Sequence, residues 1–163
     1  TRFGLAQLRA GAHILLCCDS LASGSVISPV TFRRFVLPRH QKIFSAWKKA
    51  GAITVLHICG NNMRMLDLFV ETGADIVAID SMVDLRLAKE TIGDRVCLIG
   101  NIDPVAVMLQ GSAAQVEANA QACIAAAAAG GGYILGTGCE VPPGTPLENL
   151  QTLVRVAHEH RRS

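Results

Sequence analysis

The sequence predicts an α/β fold built around a parallel sheet, with about five βα units. Two observations support this prediction. Short apolar runs without strict alternation recur along the chain, as is typical of parallel strands buried on both faces. Amphipathic helix patterns separate these runs, and strands that alternate with helices are typical of βαβ connections.

Five apolar runs are expected to form the strands. In chain order they cover residues 12–19, 53–59, 74–80, 95–101 and 132–138. None of the runs has a regular polar face, so we expect other elements to cover both sides of the sheet.

The stretches between the runs carry helix signals. After the first run, Ser28 is expected as an N-cap and Pro29 in the first helical position, where a missing N–H is tolerated. Pro38 is expected to kink or split this helix. Three later helix patterns end at glycines that we expect in the left-handed C′ conformation: Gly73, Gly93 and Gly130.

The domain organisation is simple, but two architectures fit it. The 163 residues contain no linker or charge run, so residues 1–163 are expected to form a single domain. Five βα units are compatible with an open doubly wound sheet. They are also compatible with about five-eighths of a (β/α)8 TIM barrel, which typically needs roughly 250 residues.

The composition excludes several classes of function. Hydrophobic residues make up 50% of the chain and charged residues 17%, as in compact globular proteins. The net charge is only +2 and no basic block is present, so neither nucleic acid nor a membrane surface is expected as a partner. No apolar run reaches the ~18 residues of a membrane helix, and no signal peptide is visible. We therefore expect a cytoplasmic protein.

The six cysteines fall into two groups. Four are interpreted as small buried side chains of a protein from a reducing compartment: Cys17, Cys18, Cys97 and Cys123. The other two, Cys59 and Cys139, each stand at the end of an apolar run beside a glycine.

His57 and Cys59 form the strongest chemical motif. They lie two residues apart at the end of a predicted strand, so their side chains point to one face, roughly 6.5 Å apart. The carboxyl ends of parallel strands are where α/β proteins form their sites. With Cys139 as a third ligand, the set is soft and favours zinc, with an open fourth position as in catalytic sites.

A shared metal ion and a barrel support each other. Cys139 lies three βα units after Cys59, and in a flat sheet their strands would be about 14 Å apart. At the rim of a barrel, side chains from distant strands converge. The alternative remains open that His57 is a satisfied core histidine and Cys139 a small turn residue.

Three polar residues at other strand ends are candidates for the same rim. Asp19 ends the first run, and Asn101 and Asp103 lie at the end of the fourth. They are candidate catalytic residues around a substrate pocket, and Asp19 is also a candidate metal or substrate ligand. Each also has a structural interpretation, since Asp19 could be an N-cap and Asp103 precedes Pro104 in a turn.

Four stretches of the sequence together resemble a known family. They are GAHILLCCDSLASGSVISPVTFRRFVLP, LHICGN, LIGNIDP and GYILGTGCEVPPGTPLENL. In this order they resemble the uroporphyrinogen decarboxylase superfamily, whose fold is a (β/α)8 barrel. Within it, the chain is most similar to the zinc-dependent methylcobamide:thiol methyltransferases. The resemblance covers only the carboxyl-terminal half or so of such an enzyme.

The resemblance implies a ligand set and a reaction. The methyltransferase branch binds zinc through a His-x-Cys pair and a later cysteine, which correspond to His57, Cys59 and Cys139. The decarboxylase branch usually has Gly-His-Gly at its last strand, where this chain has Gly136, Thr137 and Gly138 before the cysteine. The implied function is transfer of a methyl group from a methylated corrinoid to a thiol such as coenzyme M, with Asp19, Asn101 and Asp103 around the pocket.

The resemblance also implies partners and leaves alternatives. The methyl donor would be a corrinoid protein or free methylcobamide, and the acceptor a small thiol. One alternative is a decarboxylase-like lyase acting on a tetrapyrrole. Another is a non-catalytic barrel fragment that binds a partner chain. Because the first strands of the family are missing, we expect self-association or a requirement for the N-terminal half.

Overall fold

The computed structural model describes residues 1–162 and contains one five-stranded parallel sheet, which confirms the predicted fold class. The strands lie side by side in chain order. Their bounds are β1 Ile14–Cys18, β2 Ile53–His57, β3 Ile76–Ala78, β4 Cys97–Ile102 and β5 Tyr133–Thr137. Each strand lies inside, or within one residue of, an apolar run that predicts it.

Helices connect the strands and also flank the sheet. The α-helices are α1 Arg2–Arg9, α2 Pro29–Thr31, α3 Leu37–Lys49, α4 Leu66–Glu71, α5 Leu85–Ile92, α6 Ala113–Ala127 and α7 Leu147–Arg162. Short 3₁₀ turns occupy Ser20–Ala22 and Met63–Met65, and π-helical turns occupy Phe32–Val36 and Pro104–Leu109.

The helix ends show where the sequence signals apply. The Ser28 hydroxyl accepts the Thr31 N–H at 3.1 Å and caps α2, as predicted. Pro38 lies in the first turn of α3, so the predicted helix is split by the π-helical turn before it. The expectation for Gly93 is wrong: its φ is −70°, because the chain continues in a right-handed turn toward β4.

The core lies between the sheet and its helices. Large buried side chains there include Phe32, Phe44, Leu56, Phe69 and Leu98. A smaller second cluster packs the end of β4 against the helical elements that follow it, with Ile102, Met108, Val116, Ala120 and Val156. This layer holds the strands in place and so fixes the positions of their carboxyl ends.

The other side of the sheet is bare, which corrects the expectation of strands buried on both faces. We call it the open face; its exposed side chains are Ile14, Leu16, Cys18, Ile53 and Ile134. Ile14 and Leu16 are 55% and 58% exposed. The apolar pattern of these strands suits a closed barrel, in which this face points inward, whereas five strands leave it uncovered. Cys18, expected to be buried, is exposed for the same reason.

Helices on one face only are typical of a barrel type of fold, because a doubly wound sheet carries them on both. The structure is therefore a partial TIM-barrel-like α/β fold. Within residues 1–162, no helix combines the length and apolar character needed to cross a bilayer.

Candidate metal centre

Three sequence-predicted ligands meet at the carboxyl ends of β2 and β5. His57 is the last residue of β2, Cys59 follows two residues later, and Cys139 lies two residues beyond β5. The Cys59 Sγ is 3.3 Å from His57 Nε2 and 3.7 Å from the Cys139 Sγ. All three ligand atoms lie within 4.8 Å of one another.

These distances fit one tetrahedral metal ion. Zn–S bonds of ~2.3 Å at a tetrahedral angle place two sulfurs about 3.8 Å apart, and a nitrogen at ~2.0 Å lies about 3.5 Å from each sulfur. The observed Sγ–Sγ distance is 3.7 Å and the Sγ–Nε2 distance is 3.3 Å. The donor set of one imidazole and two thiols is the soft set that zinc prefers. Two of the three pairs therefore match a zinc ion directly, and the third pair, within 4.8 Å, needs at most a small side-chain movement.

The approach of Cys59 to Cys139 depends on the curvature of the sheet. Two strands, β3 and β4, lie between β2 and β5. In a flat sheet that separation would be about 14 Å, far beyond the reach of two cysteine side chains. The two sulfurs nevertheless lie 3.7 Å apart, as expected for strand ends that converge on a barrel axis.

A backbone carbonyl orients the His57 ring. His57 is buried, and its Nδ1 lies 3.3 Å from the carbonyl oxygen of Ala78 on β3. A carbonyl can only accept, so Nδ1 carries the proton in this contact and the Nε2 lone pair faces the thiols. Second partners of this kind commonly hold metal-binding histidines in the required tautomer.

The turn after β2 is fastened at several points. The buried Asn62 amide donates to the carbonyls of Ile58 at 2.7 Å and Gly60 at 3.0 Å. Gly60 has φ +93°, and its N–H donates to the Asp80 carboxylate at 2.8 Å. These bonds fix the backbone on both sides of Cys59, so that its thiol is held in place before any ligand arrives.

A close backbone approach positions Cys139. A Cβ added to the preceding Gly138 would lie 2.3 Å from the backbone nitrogen of Ser81, so only glycine fits there. The Thr137 hydroxyl donates to the Cys139 carbonyl at 2.7 Å and tightens the same turn. The loop after β5 is thereby packed directly against the loop after β3.

The electrostatic environment of Cys139 disfavours a thiolate in the absence of a cation. Burial raises the pKa of the Cys139 thiol, and the neighbouring Cys59 thiol and Asp80 carboxylate raise it further, while the Glu140 N–H opposes them. A bound divalent cation reverses this balance, because it attracts the thiolate that burial and negative neighbours disfavour.

Asp19 is held by a buried histidine of the helix layer. Its Oδ2 lies 3.1 Å from Nε2 of His40 in α3, and its N–H donates to the His57 carbonyl at 3.1 Å. Burial lowers the pKa of His40, and Asp19 only partly opposes this effect. Asp19 therefore ties the end of β1 to β2, and its predicted role in a substrate pocket remains a prediction.

Asn101 and Asp103 have structural contacts at the end of β4. The Asn101 amide donates to the carbonyls of Asp80 at 3.1 Å and Val83 at 2.7 Å, and so braces the loop after β3. The Asp103 carboxylate caps the π-helical turn through the Val105 and Ala106 N–H groups. These contacts fit the structural interpretation, and a pocket role for either residue also remains a prediction.

Sequence reasoning missed the groups that hold the ligands. Asn62, Asp80 and Ser20 each contact the Cys59 turn, and the Ser20 Oγ lies 3.4 Å from the Cys59 Sγ. Asn62 lies within three residues of Cys59, so the turn sequence was its only signal. Asp80 and Ser20 lie at the ends of other predicted strands, a position that marks them as neighbours of the site but does not indicate their contacts.

Comparison with known proteins identifies a family match over almost the whole chain. Residues 1–160 match the family described as uroporphyrinogen decarboxylase (URO-D). A methylated-thiol–coenzyme M methyltransferase of Methanosarcina mazei is 36% identical over 96% of this chain and 41% of its own length. A methylcobamide:CoM methyltransferase of Methanosarcina barkeri is 36% identical over 95% of this chain and 44% of its own length. A uroporphyrinogen decarboxylase of Carboxydothermus hydrogenoformans is 32% identical over 97% of this chain and 44% of its own length.

A solved structure has the same fold. A methyltransferase from Methanosarcina mazei superposes with a TM-score of 0.89 at 32% identity, covering 98% of this chain and 46% of that protein. The chain thus spans a little under half the length of the relatives it matches.

Proposed function

The chain belongs to the uroporphyrinogen decarboxylase family, and from this premise we propose that it is part of a zinc-dependent methyltransferase. The reaction would move a methyl group from a methylated corrinoid to a small thiol such as coenzyme M. Similar proteins include methylcobamide:CoM methyltransferases, whose names specify both of these reactants. The resemblance of the sequence to the methyltransferase branch supports the same proposal.

The observation that carries the proposal is the three-ligand cluster. His57, Cys59 and Cys139 bring one nitrogen and two sulfurs within 4.8 Å. Three protein ligands leave the fourth position of a tetrahedral ion open for a substrate, as in catalytic zinc sites. The resemblance assigns this trio to the methyltransferase branch and not to the decarboxylase branch, so the cluster favours the methyltransferase over the decarboxylase alternative.

The residues around the cluster would prepare it for a thiol substrate. A bound zinc ion would supply the Lewis acidity that keeps an added thiol deprotonated near neutral pH. His57 presents its Nε2 because the Ala78 carbonyl holds Nδ1. Asn62 and Asp80 keep the Cys59 turn rigid, so that the fourth position keeps a constant direction.

We further propose that the chain works as one domain, the carboxyl-terminal portion of a barrel, in the cytoplasm. The open face and the outer edges of β1 and β5 would then be covered by further strands, from the same protein or from another chain. The isolated chain is expected to self-associate or to need that segment for stability. Sedimentation analysis tests the self-association, and thermal unfolding tests the stability. A thermally robust monomer would contradict this expectation.

A spectroscopic assay tests the proposed reaction. Methylcobalamin is mixed with coenzyme M and the protein, and the loss of the cobalt–methyl absorbance is followed. Where the natural protein is longer, the full-length protein is used, since this portion covers under half of similar enzymes. Zinc-dependent transfer that disappears in Cys139→Ala is expected. Turnover of a porphyrinogen that needs neither metal nor Cys139 would instead support the decarboxylase alternative.

A further inference from the structure

Ser20 contacts one of the two candidate thiol ligands and not the other. It is the first residue of the 3₁₀ turn after β1, and its Oγ lies 3.4 Å from the Cys59 Sγ. Among residues 1–162, its hydroxyl has no other hydrogen-bond partner. Ser20 is also exposed, so neither packing nor a helix cap accounts for its orientation.

We propose that Ser20 is a positioning residue for the metal centre, donating its O–H to the Cys59 sulfur. The inference rests on the proposed metal site. A cysteine bound to a metal ion is a thiolate, which has no proton and can only accept a hydrogen bond. Once a metal ion is present, the direction of the Ser20–Cys59 bond is therefore determined.

The backbone holds Ser20 in place for this role. The N–H of Asp19, the preceding residue, donates to the His57 carbonyl at 3.1 Å, and the Asp19 carboxylate is bonded to His40. The turn that carries the hydroxyl is thus attached to the strand that ends at His57, two residues before Cys59. A preorganised donor loses little freedom when it forms the bond.

The Ser20 hydroxyl contacts one of the two sulfurs only. At Cys139 the backbone N–H of Glu140 lowers the pKa of the thiol, and a side-chain substitution cannot remove that N–H. Cys59 receives the Ser20 hydroxyl, which a single substitution removes. A donor stabilises the lone pairs of a thiolate, so the sulfur gives less charge to the metal. The ion would then keep more positive charge for the substrate thiol in its fourth position.

Cobalt substitution tests the inference, because sulfur-to-cobalt charge-transfer bands report the lone-pair energy directly. Loss of the hydrogen bond in Ser20→Ala should raise that energy and move a charge-transfer band to longer wavelength. Metal affinity, measured by competition with a chelator, should nevertheless fall about tenfold, because Cys59 loses the contact that positions it and its thiolate competes less well against protonation. Ser20→Thr keeps a hydroxyl and should restore both properties, whereas Ser45→Ala, on the exposed side of α3, should change neither.

The possible outcomes separate this inference from the proposed function. A wild-type chain without thiolate charge-transfer bands overturns the metal site and the inference together. Normal wild-type bands that do not move in Ser20→Ala, with unchanged affinity, overturn the inference alone. Circular dichroism shows whether Ser20→Ala remains folded. If Ser20→Ala does not fold, the cobalt spectrum of Ser20→Thr decides the question. A charge-transfer band of Ser20→Thr at longer wavelength than in the wild type, as expected without the hydrogen bond, overturns the inference.

Discussion

The two ends of the sheet use polar residues in opposite ways. At the amino ends, the Asp75 carboxylate is neutralised by Lys48 at 2.6 Å and accepts two hydrogen bonds from Thr54, at 2.9 and 2.8 Å. At the carboxyl ends, the charged or ionisable neighbours that act on Cys139 are Cys59 and Asp80, which are negative when ionised. At the amino end, the negative charge of Asp75 is balanced by Lys48 and the Thr54 donors. At the carboxyl end, a bound cation would balance the negative charge of the ionised groups.

From this difference we expect the amino end to maintain stability and the carboxyl end to carry the proposed chemistry. In barrels, the amino-terminal face of the strands serves stability and the carboxyl-terminal face serves catalysis. Substitutions at the two ends should therefore have separable effects. At the carboxyl end they should change metal binding with little change in folding, and at the amino end the reverse.

The largest effect is expected from removing a ligand at the carboxyl end. Cys139→Ala leaves two protein ligands, so the chain should lose most of its bound zinc and all measurable methyl transfer. Cys123→Ala is the matched control, because Cys123 lies on α6 in contact with Asn101 and does not reach the cluster. Metal analysis after dialysis measures the zinc content of both variants, and the cobalt–methyl absorbance assay measures their methyl transfer. Equal zinc retention in the two variants would contradict the assignment.

A smaller effect is expected from moving a ligand without removing it. In Gly138→Ala, the new Cβ meets the Ser81 backbone nitrogen at 2.3 Å, so the turn must shift and carry Cys139 with it. Zinc affinity should fall roughly ten- to a hundredfold, as when ligand-orienting contacts are lost. In Gly136→Ala the nearest atom is a side-chain carbon of Ile99 at 3.2 Å, which can yield, so the loss should be smaller. Competition with a chelator gives the affinities. Wild-type affinity in Gly138→Ala would show that the close approach does not position the ligand.

The smallest effect is expected at the amino end. Burial alone would raise the pKa of Asp75, but Lys48 and the two Thr54 donors outweigh it and lower the pKa. The folded state therefore binds this proton less readily than the unfolded state. The stabilisation is present above the unfolded pKa of ~3.9 and is lost as the pH falls through the folded pKa.

Lys48→Met should then lower the free energy of unfolding by about 1 kcal/mol at pH 7. The difference from the wild type should shrink as the solution is acidified below about pH 4, and zinc binding at pH 7 should not change. Lys49→Met, the exposed neighbour on α3, is the control for loss of one positive charge. Urea unfolding at several pH values measures this. A difference that grows on acidification would mean that the sign is wrong.

The sequence could predict features that depend on local pattern. The Ser28 cap and the five strands follow from residue type and local spacing, and so does the position of each of the three candidate ligands at the end of its own strand. The ligand distances needed one further step, the recognition that strand ends converge in a barrel. Contacts between loops could not be predicted from the sequence, because nothing in the chain near Cys59 indicates that Ser20 or Asp80 contacts its turn.

The errors have a physical origin as well. The expectation of strands covered on both faces was wrong because their apolar pattern suits a closed barrel, and five strands leave Ile14 and Leu16 exposed. The expectation for Gly93 was wrong because a glycine after a helix permits a left-handed turn but does not require one.

X-ray absorption at the zinc edge tests the central claim most directly. The purified chain, loaded with zinc and dialysed, should hold about one ion, with two sulfurs at ~2.3 Å and one imidazole nitrogen at ~2.0 Å. Added coenzyme M should raise the number of sulfur ligands by about one. A spectrum with only nitrogen and oxygen ligands, or a chain that retains no zinc, would contradict both the metal centre and the function proposed from it.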